Sequence, residues 1–144
     1  MADITSSVAE KEIGRGLESL GYWVCKKITP VDDGVSSAAA HNLITIPANS
    51  FVSEGYVVVT TTATSGGGAT VKFGTGTKDY CGVIPVANLA ANDFVKLQIM
   101  DYEDTDGGAG YSTSADTFDM TVATAALTAG AFYVMINIVK LPGE

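Results

Sequence analysis

Tyr56-Val57-Val58-Val59-Thr60-Thr61-Thr62-Ala63-Thr64 is the run that decides how the chain is read. β-branched residues restrict χ1 and lose little when laid on a pleated surface, so this run predicts a strand. Ser65-Gly66-Gly67-Gly68 closes it with residues that favour a turn. Working outward, the same grammar recurs on both sides. Upstream lie Tyr22-Trp23-Val24-Cys25-Lys26-Lys27-Ile28-Thr29, ended by Pro30, and Leu43-Ile44-Thr45-Ile46 before Pro47. Downstream, Ala69 to Phe73 places Val71 and Phe73 on one face. Strands are expected near Tyr80 to Ile84, over Phe94 to Met100, over Thr117 to Val122 and over Phe132 to Leu141.

About eight strands, spaced by Gly, Asn, Asp and Ser turns with no helical pattern between them, predict an all-β protein. The expected architecture is a single jelly-roll-like β-sandwich over residues 21–144. No internal repeat points to a solenoid or propeller. Gly66-Gly67-Gly68 and Gly74-Thr75-Gly76-Thr77 lack the Lys-Ser/Thr ending of a phosphate-binding loop and no helix pattern follows them. They read as hairpin turns that need positive backbone angles.

Residues 1–20 follow a different rule. Ser7 and Glu10 have the spacing of a capping box, and Val8, Ile13, Leu17 and Leu20 recur at roughly helical intervals. Gly14 and Gly16 each weaken a helix by about 1 kcal/mol relative to alanine. The segment therefore reads as a short amphipathic helix or arm that gains order against a partner.

The chain of 144 residues is 47% hydrophobic and 17% charged, with a net charge of −8. That apolar content supports one domain with its own core and excludes a disordered acidic tail. A charged fraction below the usual one quarter leaves Thr, Ala, Ser and Gly on much of the surface. A single arginine, Arg15, and only one adjacent lysine pair, Lys26-Lys27, argue against nucleic acid and anionic membranes as partners. The start of the chain lacks the pattern of a secretory signal, and no apolar stretch is long enough for a spanning helix. Cys25 and Cys81 are expected as free thiols.

Catalytic signals are weak. His41 is the sole histidine, so a nucleophile–base pair would have to be built around it, and the sequence lacks a G-x-S-x-G elbow. Cys25, His41 and Cys81 are too scattered for a zinc motif. Asp116 and Asp119 form a carboxylate pair, but a glycosidase needs an aromatic-lined cleft, and 8% aromatic content gives little material for one. Asp101, Asp104 and Asp106, ahead of Gly107, resemble part of a calcium loop without its terminal glutamate, and read better as a solvated acidic loop. No cofactor and no enzymatic activity are expected.

Leu43-Ile44-Thr45-Ile46-Pro47-Ala48-Asn49-Ser50-Phe51-Val52 resembles a segment of small accessory proteins encoded among the virion genes of tailed bacteriophages. In that group an Ile-Thr-Ile-Pro-Ala strand leads into a Val/Thr-rich strand and then a Gly-x-Gly-Thr turn. Here these are Val57 to Thr64 and Gly74 to Thr77. Ser114 to Thr121 and Ala125 to Gly130 also look like the group's later motif, and the likeness spans about residues 43–141. The resemblance implies a capsid decoration, or cement, protein on the virion surface, made in the host cytoplasm. Its implied partners are the major capsid protein and two further copies in a homotrimer. On that reading Phe132, Val134 and Ile136 are trimer-interface candidates, and Ile4, Val8, Ile13, Leu17 and Leu20 belong to a capsid-binding arm. The alternative is a carbohydrate- or receptor-binding module of a fibre or tail, for which Trp23, Tyr102 and Tyr111 are the candidate aromatics.

Overall fold

The computed structural model describes residues 2–3, 11–13, 21–76, 78–99 and 111–141. They form nine strands: β1 (Lys11–Ile13), β2 (Tyr22–Ile28), β3 (Ala40–Ile46), β4 (Ser50–Ser65), β5 (Thr70–Gly74), β6 (Ile84–Pro85), β7 (Phe94–Leu97), β8 (Asp116–Ala123) and β9 (Leu127–Lys140). A single 3₁₀ turn occupies Val86–Asn88. All strand pairs are antiparallel, in one sheet ordered β1-β2-β9-β4-β7 and another ordered β3-β8-β5-β6.

The pairing is nested. β5 pairs β6, β4 pairs β7, β3 pairs β8 and β2 pairs β9, as in one long antiparallel ribbon with its tip at β5–β6. Rolling that ribbon puts alternate pairs into alternate sheets and gives the expected jelly-roll-like β-sandwich. Two sheets then bury one face each, which is why inward residues alternate along β2, β8 and β9. Phe73 and Phe118 stack at 6.1 Å within one sheet, and Phe132 from the other meets Phe73 edge-on at 6.0 Å. Tyr80, only 1% exposed, stacks on Phe118. Such aromatic pairs add roughly 0.5–1.5 kcal/mol each beyond the area they bury.

The long Val/Thr strand is longer than its core run, because β4 continues back to Ser50 by way of a bulge near Val52/Glu54. The strand expected at Tyr80 to Ile84 shrinks to Ile84–Pro85, since Gly82 and the proline leave only a short pairing with β5. The glycine turns divide. Gly68 has φ +71°, as a turn glycine should, whereas Gly74 and Gly76 do not take positive angles. Gly74 is needed for close approach, because a Cβ there would collide with the Lys78 carbonyl oxygen.

In the N-terminal segment the described residues depart from a helix. Lys11–Ile13 is extended and pairs with Trp23–Cys25, adding an edge strand to the larger sheet. The two glycines that follow disfavour helix, while the open edge of β2 offers hydrogen bonds that an isolated helical turn lacks. Ala2 and Asp3 meet the other sheet: Asp3 bridges Asn42, and the Asn42 N–H donates to the Ala2 carbonyl at 3.1 Å. Between these two edges, Lys26 of β2 is fully buried and its Nζ donates to the Leu43 carbonyl of β3 at 2.8 Å.

Candidate interaction face

The outward side of the five-stranded sheet is built by default from residues that alternate with the core set. Because Val24, Lys26, Ile28, Val57, Leu97, Val134 and Ile136 are buried, their neighbours along each strand point away from the sandwich. Register then sorts these neighbours into rungs. One rung runs Lys27, Tyr133, Val58, Phe94, and the next runs Cys25, Met135, Tyr56, Lys96. Trp23 and Asn137 continue the face, with the Trp23 ring stacked on Tyr56 at 6.2 Å and 24°. The Ser53 hydroxyl donates to Asn137 Oδ1 at 2.8 Å and fixes that amide.

This face is apolar yet open to water at its rim. Phe94 is 67% exposed and Tyr133 38%, while Val58, Met135, Tyr56, Cys25 and Trp23 are half-buried. Lysines stand at opposite edges, Lys27 on β2 and Lys96 on β7, and Glu54 is the one described acid on the outer face of strands β2, β9, β4 and β7. Burial pushes the Cys25 thiol above its ordinary range. Cys25, on β2, and Cys81, in the connection between β5 and β6, are both free thiols.

The outward side of the four-stranded sheet has the opposite chemistry. Thr45, Thr117, Thr121, Asn42, Asp119 and Lys72 occupy it. Desolvation raises the Asp119 carboxyl to about 6; Asp116 and Asp3 push in the same direction and the Thr117 hydroxyl, 2.7 Å away, opposes them. Lys72 pairs instead with Asp79 at 3.4 Å, and these residues border a pocket of about 110 Å³ beside Gly74. That volume has room for one to a few waters, whereas a sugar ring or nucleotide site needs several hundred Å³.

The residues singled out in the sequence are not gathered into one site. Phe132, Val134 and Ile136 are 2%, 0% and 0% exposed, packed inside the sandwich. Their apolar alternation serves the chain's own core, and the outward positions of β9 are Tyr133, Met135 and Asn137. Ile13 stands opposite Trp23 in register, whereas Ile4, Val8, Leu17 and Leu20 lie outside the described residues. Asp101, Asp104, Asp106 and Tyr102 also lie outside them. Among the described residues no group of three His, Cys, Asp or Glu side chains is placed to hold a metal. Trp23 lies on the aromatic face, while the Tyr111 hydroxyl donates to Asn49 at 3.3 Å, at the start of β4. His41 is fully buried, 0% exposed. Phe94, whose exposure marks the face most clearly, was legible only as a member of a strand, since the sequence does not say which side of a sheet faces water.

The fold is shared with chains of two phage capsids. One is from the acidic stable capsid structure of Helicobacter pylori bacteriophage KHP30, with a TM-score of 0.58 and 17% identity over 94% of this chain and 95% of that one. The other is from the capsid of Ralstonia phage GP4, with a TM-score of 0.58 and 12% identity over 99% of both chains. At such identities the likeness is one of fold. No family model and no curated protein sequence matches the chain.

Proposed function

We propose that this chain is a structural virion protein that decorates and stabilises a bacteriophage capsid, acting by binding rather than catalysis and working as a homotrimer. The observation that carries the reading is a likeness of fold to chains of two phage capsid structures that spans nearly the whole length of this chain and of each of them. The aromatic face supports it: an apolar outer surface with charge confined to its rim suits a protein interface. The partners are the major capsid protein and further copies of this chain. A protein that binds the closed shell but not the ruptured one stabilises the shell by mass action.

The test uses purified shells that lack the protein. Added at increasing concentration, the chain is expected to co-sediment with them and to saturate at a fixed number of copies per capsid subunit. No co-sedimentation at molar excess would overturn the reading. Carbohydrate binding is the second reading, favoured by the Trp23–Tyr56 stack. It draws less support because, among the described residues, Glu54 alone offers a carboxylate on that face, and sugar sites combine aromatic platforms with several convergent polar groups.

A further inference from the structure

Phe94 and Tyr133 stand exposed on the aromatic face, and the charge of its described residues limits what can cover it. The protein carries a net charge of −8, yet among the described residues the exposed rim of this face presents Lys27 and Lys96 against a single acid, Glu54. Two copies packed face to face would oppose four lysines with two glutamates. An acidic, partly apolar projection is the better complement.

Such a projection exists on the same molecule. The turn after β2, Pro30-Val31-Asp32-Asp33-Gly34, exposes Val31 at 49% with Asp32 beside it. It is also rigid. Asp33 Oδ2 accepts the Thr29 N–H at 2.7 Å, the Asp33 N–H donates back to the Thr29 carbonyl at 2.8 Å, and Val35 N–H reaches the Pro30 carbonyl at 2.9 Å. Gly34, at φ +76°, lets the chain turn away. A preformed turn loses little entropy when it docks.

We propose that the outer face of the five-stranded sheet receives the Val31–Asp33 turn of a second copy of this chain, with Val31 seated against Phe94 and Tyr133 and the exposed Asp32 meeting the rim lysines, Lys27 and Lys96. The contact is heterologous, one patch on a different patch, and contacts of this kind close into rings when the rotation allows. A ring is the form a decorating trimer needs, so the inference rests on the proposed function and names the surface through which its copies join.

The experiment is the solution mass of the full chain, measured by light scattering and sedimentation equilibrium without shells. The wild-type protein is expected as a multimer. Lys27→Glu/Lys96→Glu and, separately, Phe94→Asp are expected to fall to monomer mass, with association weakened by roughly tenfold or more. All three positions are exposed, so each variant should keep the wild-type near-ultraviolet circular dichroism. Adding Asp32→Lys to the Lys27→Glu/Lys96→Glu chain reverses both signs and is expected to restore the multimer. A monomeric wild type, or face variants that keep the multimer mass, would overturn the proposal. So would failure of Asp32→Lys to restore it, which is the result of a face-to-face dimer. Shells are added in a second arm. If the face variants keep their multimer mass but lose shell binding, the shell protein occupies the face and the proposal falls while the proposed function stands. If the variants are monomeric but no form binds shells, the proposed function falls alone.

Discussion

His41 shows how the sandwich satisfies a polar group that cannot reach water. His41 has Nε2 at 2.8 Å from the Ser37 carbonyl oxygen and Nδ1 at 3.1 Å from the Ala2 N–H. A carbonyl can only accept and an amide N–H can only donate, so the ring must carry its proton on Nε2. Nitrogen-15 spectra of the imidazole should report that tautomer. His41→Phe would leave both partners unsatisfied and should cost about 1–3 kcal/mol in denaturant unfolding. Asp119 makes an opposite contribution. Its carboxyl, raised to about 6 by burial, binds a proton in the folded chain before the unfolded chain does. The stability it contributes is therefore fully present below pH 4 and is lost as pH rises through 6. Asp119→Asn should raise the melting temperature relative to wild type near pH 7 and narrow that gain toward pH 4. A constant difference across the range would show that Asp119 does not titrate in the fold.

At the scale of elements, the strands were legible where alternation was strong and flanked by turn residues. β2, β5 and β8 lie within one or two residues of their expected bounds. The extension of β9 back to Leu127 was less legible, because Gly130 interrupts the pattern. Gly130 has φ +136°, and a Cβ there would lie 3.1 Å from Ala63 Cα on β4. Gly130→Ala is expected to cost about 1–3 kcal/mol through strain and that contact, measured by thermal unfolding. The residues Phe132, Val134 and Ile136 were legible as an apolar stripe but not as intramolecular core, since a stripe looks alike whether it meets its own second sheet or another molecule. Phe118 marks that core directly. It is fully buried between Phe73 and Tyr80. Phe118→Ala should destabilise the chain by about 3–5 kcal/mol. β1 was missed for a related reason: Val8, Ile13 and Leu17 fit helical spacing, while the edge of β2 that recruits Lys11–Ile13 is a tertiary feature.

For the whole molecule, the two sheets give two unlike surfaces. One is polar and Thr-rich, with Thr117 bonded to Asp119; the other is aromatic with lysines at its edges. Among the described residues the aromatic face carries little charge beyond Lys27, Lys96 and Glu54, and it is the face that the proposed function gives to a protein partner. The resemblance to phage accessory proteins, carried by strand and turn motifs between residues 43 and 141, anticipated the fold of two phage capsid chains but could not anticipate which surface is used. Turn motifs fix backbone geometry, and interface choice depends on side chains that only the assembled sheet brings together. The measurement that tests the central claim most directly is the rupture temperature of shells with and without the protein. At about a hundredfold excess over the dissociation constant, binding to the intact shell supplies roughly 2.7 kcal/mol per site, so the rupture midpoint should rise with concentration and level off at saturation. A midpoint unchanged at saturating protein would contradict the account.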